Sequence, residues 1–194
     1  MIVSHTYKYV CLNPPKTGAG MRERCLRNYS DKSIILSNIK QSERHLKYTD
    51  VCKFFQKNNW DIEDYYTFTF VRNPWHRLES WYNMFVIQGK YKVCKDLFSN
   101  FVKLMLESNL QYDYVYSYNR KVDYIGTLES IETDLLHIFN KLKLNTKLNN
   151  HRIYDKSYYK HYAEVKSLWT QELIDMVAEK EKWLIGEFNY NYIQ

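Results

Sequence analysis

Short apolar, β-branched runs alternate with amphipathic stretches along this chain. Residues 7–12 (YKYVCL) read as a first strand, because turn chemistry, Asn-Pro-Pro, follows at once. A loop over 13–20 (NPPKTGAG) leads into a helix predicted over 21–29. There Met21, Cys25 and Tyr29 recur at i, i+4 and i+8 with Leu26 beside them, giving one apolar face. Arg22, Arg24 and Arg27 fall on other faces, which predicts mostly solvated side chains, one of which could reach an anion. Residues 33–39 (SIILSNI) read as a second strand. A helix over 50–57 follows, capped by Thr49 or Asp50, with Val51, Phe54 and Phe55 inward.

Residues 65–71 (YYTFTFV) form the clearest strand pattern. Asn73 is a good N-cap and Pro74 an ideal first helical residue, so a helix starts directly after it. Further helices are predicted over 94–107, with Leu97, Phe101, Leu104 and Met105 at core spacing, and over 129–142, with Ile131, Leu135, Ile138, Phe139 and Leu142 inward. A strand over 122–127 separates them, and a polar loop occupies 143–156. The last helix spans 170–185, with Leu173, Val177 and Leu184 inside and Gly186 as its stop. Strands alternating with helices predict an α/β fold: one three-layer α/β/α domain over 1–194 with a mainly parallel central sheet.

Composition narrows this picture. A chain of 194 residues suits one domain with a substantial core. No apolar run approaches the length of a membrane span, and the opening MIVSHTYKYV lacks the basic region and apolar core of a signal peptide. The net charge of +6 suits an anionic cofactor or substrate, and equally an ordinary soluble surface. Lysines and arginines are scattered rather than striped, which argues against a nucleic-acid partner. Cys11, Cys25, Cys52 and Cys94 form no CxxC pair, and no His cluster stands at zinc spacing. Reduced thiols and no metal are expected. The 19 tyrosines read as core and half-buried filling rather than as platforms for sugars or bases.

The stretch YVCLNPPKTGAGMRERCLR concentrates the chemistry. A strand feeding a glycine-bearing loop at a helix N-terminus is an anion cradle, since loop amides and helix dipole point at the same place. Gly18 and Gly20 permit close approach and positive φ, and Lys16 adds a full charge. Phosphate or sulfate is the natural guest. Arg72 stands at the carboxyl end of a strand, where open α/β sheets bind ligands. Arg77 and Ser80 share a helix face and with Arg72 make a candidate second anion site. The alternative gives Arg77 to a carboxylate such as Glu79 or Asp113, and Ser80 to helix packing.

The pair YVCLNPPKTGAG and FTFVRNPWHRLESWYN resembles the sulfotransferase family, specifically its carbohydrate (Golgi-type) branch. The segment VDYIGTLESIETDL resembles that family's strand-plus-helix GRFE…D block, and the tail YAEVKSLWTQELIDMVAEKEKWLIGEFNY its closing helix. The resemblance covers nearly the whole chain and implies a P-loop-like fold. It also implies 3′-phosphoadenosine 5′-phosphosulfate (PAPS) as cofactor, adenosine 3′,5′-bisphosphate as product, and no metal. By that likeness Lys16, Thr17, Gly18, Ala19, Gly20 and Met21 hold the 5′-phosphosulfate, with Lys16 also catalytic. Arg72 and Ser80 hold the 3′-phosphate. His45 is the implied base, with Glu43 as fallback, and imidazole with its ordinary near-neutral pKa suits that role.

The departures are specific. The family's PKTGGTS reads PKTGAGM, so Gly20 and Met21 replace two hydroxyl residues, each a loss of about 1.5–3 kcal/mol of cofactor binding. GRFE reads GTLE, with Thr127 for its Arg. The membrane anchor of a Golgi enzyme does not precede the first strand, so the expectation is a soluble, cytoplasmic protein or a shortened form of an anchored one. The implied acceptor is a hydroxyl of a glycan or glycolipid, met by variable loops over 88–95, 108–120 and 147–162. The last of these carries His151, Arg152, Lys156, Lys160 and His161. Two alternatives stand beside this reading. One is a non-catalytic binding protein that keeps the fold with a worn site, for which GAGM is the argument. The other is a P-loop nucleotide kinase, against which Lys16 precedes the glycines instead of ending a GxxxxGK[ST] loop.

Overall fold

Side-chain alternation along residues 66–71 sends Phe68 and Phe70 to one face of a strand and Thr67 and Thr69 to the other. This strand is central to a computed structural model that describes residues 1–31, 45–145 and 161–192. The chain is of mixed α/β type and falls into two units, Met1–Arg72 with Asp113–Asn150, and Asn73–Tyr112 with His151–Gln194.

The first unit holds a four-stranded, mainly parallel sheet. Its strands are β1 (Ile2–Ser4), β2 (Tyr9–Cys11), β3 (Tyr66–Val71) and β6 (Tyr124–Thr127), in the order β1-β2-β3-β6. The β2–β3 and β3–β6 pairs are parallel, with Cys11 opposite Phe68 and Phe70 opposite Gly126. A small hairpin of β4 (Tyr116–Ser117) and β5 (Arg120–Lys121) lies apart. Helices α1 (Ala19–Leu26) and α5 (Ile131–Lys141) cover the Phe68–Phe70 face. Leu26, Ile131, Leu135, Ile138 and Phe139 join Tyr9 and Cys11 in one apolar cluster. Helix α2 (Tyr48–Lys57) buries Tyr48, Val51 and Phe55, and the Tyr48 hydroxyl lies 3.5 Å from Thr67 Oγ1.

The second unit is helical: α3 (Pro74–Ile87), α4 (Lys95–Ser108), α6 (Tyr162–Lys166), α7 (Gln171–Lys180) and α8 (Lys182–Phe188). Its core is aromatic, with Trp75, Tyr82, Phe98 and Phe101 among Leu78, Val102, Leu106, Val165, Leu173 and Val177. Among the described residues no helix is long and apolar enough to cross a membrane.

Several elements differ from the sequence pattern. The first strand is shorter than 7–12, and an antiparallel partner, Ile2–Ser4, precedes it through a turn with Lys8 at φ 50. Helix α1 starts at Ala19 rather than Met21 and gives way to a 3-10 turn at Arg27–Tyr29. Helix α2 starts at Tyr48 without a side-chain cap, whereas the Asn73 cap is formed, its Oδ1 accepting from His76 N at 3.3 Å. In α4 the inward stripe is Phe98, Phe101, Val102 and Leu106, while Leu97 and Leu104 are exposed. Two overlapping apolar stripes share this helix, and the one carrying Phe98 wins by aromatic area. Its ring packs edge-on against Trp169 at 4.9 Å and Tyr82 at 5.1 Å. The expected single helix over 170–185 breaks at Glu181, and Gly186 sits inside α8. Asn189, left-handed at φ 52, is the stop. The strand expected over 33–39 lies outside the described residues. All four cysteines are free thiols, and Tyr9, Tyr48, Tyr82 and Tyr114 are core residues.

Phe98→Ala is expected to cost about 3–5 kcal/mol of stability and Leu97→Ala within about 0.5 kcal/mol. Denaturant unfolding followed by far-UV circular dichroism checks the contrast, and equal losses would return α4 to the other face.

Candidate functional site

The loop between β2 and α1 is shaped by residue types that leave it little choice. Leu12 N still donates to Phe68 O at 2.8 Å, but Pro14 and Pro15 offer no amide and end the ladder. Thr17 is fully buried. Its hydroxyl donates to Pro14 O at 2.8 Å and closes the loop on itself. Lys16 is left-handed at φ 66 and Gly18 at φ 85. A Cβ on Gly18 would stand 2.8 Å from the Cδ1 atoms of both Leu128 and Ile131, so only glycine fits. No side chain caps α1 and no acid lies in its first turn, so its amides and dipole favour negative charge at the loop.

Arg22 is the unexpected member. Helix α1 brings it back beneath the loop, 0% exposed. Its Nε and Nη2 donate to Asn13 Oδ1 at 3.1 and 3.0 Å. Nη2 also donates to Thr17 Oγ1 at 3.1 Å, and Nη1 to Thr17 O. The guanidinium lies 4.7 Å over the Phe70 ring. Arg24 and Arg27 are exposed as expected; Arg22 corrects the expectation of a solvated face. A signal was present, since Gly18, Arg22 and Leu26 share one stripe at a spacing of four, and Leu26 is core.

Two further expected residues stand at this loop. His45 Nδ1 lies 2.6 Å from Asn13 O. A carbonyl only accepts, so Nδ1 carries the proton and the lone pair of the neutral ring is on Nε2. Tyr114 holds the segment from the other side, its hydroxyl donating to His45 O at 3.1 Å. Arg72 follows β3, and its Nη1 reaches Lys16 O at 3.4 Å. Lys16, His45 and Arg72 thus gather around one loop at the carboxyl ends of two parallel strands. Glu43 lies outside the described residues, as do His151, Arg152, Lys156 and Lys160. His161 lies within them and contacts Glu164 at 3.2 Å.

The turn after β6 supports the loop from behind. Asp134 accepts from Thr127 N and Ser130 Oγ at 2.7 Å each and from the Tyr124 hydroxyl at 2.8 Å. Thr127 is part of this turn, its Oγ1 2.6 Å from Ser130 Oγ. Leu128 and Ile131 are thereby pressed against Gly18. Burial pushes the Cys11 thiol up from its ordinary value and the nearby Arg22 charge draws it partly back. The net direction is up, so Cys11 is a neutral packing thiol.

Ser80 belongs to the second unit, buried on α3. In that unit Arg77 is also buried. It donates to Asn109 O and Oδ1 at 2.9 and 2.8 Å and stands 3.8 Å from the carboxylate of Glu181. Glu79 instead accepts from the Tyr162 hydroxyl and Trp169 Nε1, both at 2.8 Å. The Tyr82 hydroxyl donates to Lys92 O at 2.7 Å.

Comparison with protein-family models, curated proteins and solved structures finds no match to this chain.

The two loop glycines have opposite tolerance. Gly18→Ala is expected to cost about 1–3 kcal/mol through its positive φ and the Leu128–Ile131 contacts. Gly20→Ala meets nothing nearer than Arg24 Nη1 at 3.8 Å, and is expected to be neutral or to gain up to about 1 kcal/mol of helix propensity. Guanidinium unfolding of the two variants checks this.

Proposed function

We propose that the chain is a sulfotransferase that moves a sulfuryl group from PAPS to a hydroxyl acceptor, on a carbohydrate by the family resemblance, within a P-loop-like three-layer α/β fold. The observation that carries this reading is the convergence of Lys16, His45 and Arg72 around the left-handed loop of the first unit. The donor set suits such a cofactor. It comprises an ammonium, a guanidinium, uncapped amides at α1 and a glycine whose Cβ would fill the cradle wall.

When bound, PAPS supplies the sulfuryl group and a phosphate leaving group. Lys16 and the amides of Thr17, Gly18, Ala19 and Gly20 would hold the phosphosulfate and stabilise charge on the departing phosphate, while Met21 N donates to Gly18 O at 3.1 Å and closes the first turn of α1. Arg72 would hold the 3′-phosphate. Nε2 of His45 carries the lone pair that would take the acceptor proton, because Nδ1–H is spent on Asn13 O. Pinning the ring in that way fixes its tautomer and its direction.

A second reading, a non-catalytic anion-binding protein, is favoured by one observation. The Thr17 hydroxyl turns inward and Gly20 and Met21 bring none, so the loop offers amides and a lysine but no described hydroxyl.

Calorimetric titration with adenosine 3′,5′-bisphosphate, with ATP in parallel, tests the proposal. The wild type is expected to bind the bisphosphate and ATP only weakly, and Arg72→Ala to lose about tenfold or more, the loss of one charged hydrogen bond. Absence of bisphosphate binding overturns it. Binding of both without sulfuryl transfer to any of a panel of carbohydrate hydroxyls moves the conclusion to the second reading.

A further inference from the structure

Arg22 is a costly residue for its position. It is fully buried, and its partners are Asn13 Oδ1, Thr17 O, Thr17 Oγ1, the neutral Cys11 thiol and the Phe70 ring, none of them charged. Among the described residues no carboxylate forms a salt bridge with it. The nearest acid in sequence, Glu23, follows it on α1. A buried guanidinium without a counter-ion is unfavourable, and an apolar residue of similar volume would pack the same space at lower cost. The charge is therefore retained for something other than packing. It lies directly behind the loop amides, shielded from water, where its field acts through a low dielectric on whatever occupies the cradle.

We propose that Arg22 is a positioning residue of the anion loop. It holds the loop's shape through Asn13 and Thr17 and supplies, from beneath and without touching the ligand, the positive charge that makes the cradle prefer a dianion to a monoanion. The proposal rests on the anion half of the reading above and not on the identity of the nucleotide. It also fits an anion loop whose Gly20 and Met21 carry no hydroxyl. A charge behind the amides replaces donors in front of them.

Charged and titratable groups surround it on each side. Cys11 on β2 is kept neutral by burial, and Glu23 and Arg24 are on α1. Lys16 and His45 are at the loop, and Arg72 follows β3. Sulfate, a dianion throughout, is the control that separates titration of the phosphate probe from any change in the protein.

The test is calorimetric binding of inorganic sulfate and inorganic phosphate to the full chain at several values between about pH 5.5 and 8, where phosphate passes from monoanion to dianion. The proteins are wild type, Lys16→Ala, Arg22→Met and Arg22→Lys, each also followed by thermal unfolding without anion. Wild type is expected to bind both anions, with phosphate binding rising with pH beyond any change seen for sulfate, and Lys16→Ala to weaken both. Arg22→Met is expected to lose about tenfold or more for sulfate and dianionic phosphate, and markedly less for the monoanion, so its phosphate profile flattens. Arg22→Lys, which keeps the charge without the fork, is expected to restore the wild-type pH profile and most of the affinity.

Loss by Arg22→Met of the same factor for both phosphate forms, in step with a lower thermal midpoint, would make Arg22 merely structural and overturn the proposal. Unchanged binding, or no anion binding by wild type, also overturns it. If Arg22→Met does not fold, Arg22→Lys decides: a flattened profile with the charge retained is contrary to the proposal. Wild type that binds sulfate but not adenosine 3′,5′-bisphosphate would sink the sulfotransferase reading alone.

Discussion

A buried guanidinium holds the loop after β2 in a shape that its backbone alone resists. Lys16 is left-handed at φ 66, a conformation that costs an ordinary residue about 1–2 kcal/mol. Each hydrogen bond from Arg22 to the loop is charge-assisted and contributes about 1.5–3 kcal/mol when its partners are otherwise buried. Four such bonds, to Asn13 Oδ1 twice and to Thr17 twice, outweigh the strain. Asn13 is the junction: its side chain takes Arg22 and its carbonyl takes His45 Nδ1. One residue thus ties the buried cation, the loop and the imidazole into a single rigid piece.

That piece is rigid only because the sheet behind it is. Phe70 carries the Arg22 guanidinium on its ring face and occupies the space a side chain would take at Gly126 on β6. The parallel register that sets Phe70 opposite Gly126 therefore also sets the height of Arg22 under the loop. Asp134 fixes the turn after β6 through three hydrogen bonds, and that turn delivers Leu128 and Ile131 against Gly18. The glycine is demanded twice, by its positive φ and by these two side chains. Sheet register, turn capping and loop conformation are successive consequences of a few core contacts.

Much of this was legible beforehand because local chemistry is strong where the loop lies. Pro-Pro after a β-branched run, glycine at the start of a helix, and Asn-Pro at the start of another announce their own geometry. Residues 13–18 form the expected loop and Asn73–Pro74 the expected helix start for that reason. Periodicity failed where two apolar stripes compete, as in α4, and where a charged residue occupies a buried stripe, as at Arg22. A pattern that ranks arginine as solvent-facing cannot see a cation whose partners are a side-chain amide, a backbone carbonyl and a phenyl ring. The break at Glu181 was hidden for the same reason. Its buried carboxylate serves Gln111 N at 3.1 Å and faces Arg77, contacts between residues far apart in sequence.

The stretch RNPWHRLESWY shows how a short motif can be continuous in sequence and divided in duty. Arg72 belongs to the first unit and reaches the loop through Lys16 O. From Asn73 onward the motif belongs to the second unit. Asn73 caps α3 and donates to Asn191 O at 2.9 Å, Arg77 is taken up by Asn109 and Glu181, and Tyr82 bonds the turn after α3. Arginine at 72 and arginine at 77 are the same letter five residues apart. One stands beside a cationic loop at partial exposure, and the other is enclosed among its own acceptors. What separates buried Arg77 from buried Arg22 is whether a carboxylate stands beside the guanidinium. Arg77 has Glu181 at 3.8 Å, whereas Arg22 beneath the loop has none among the described residues.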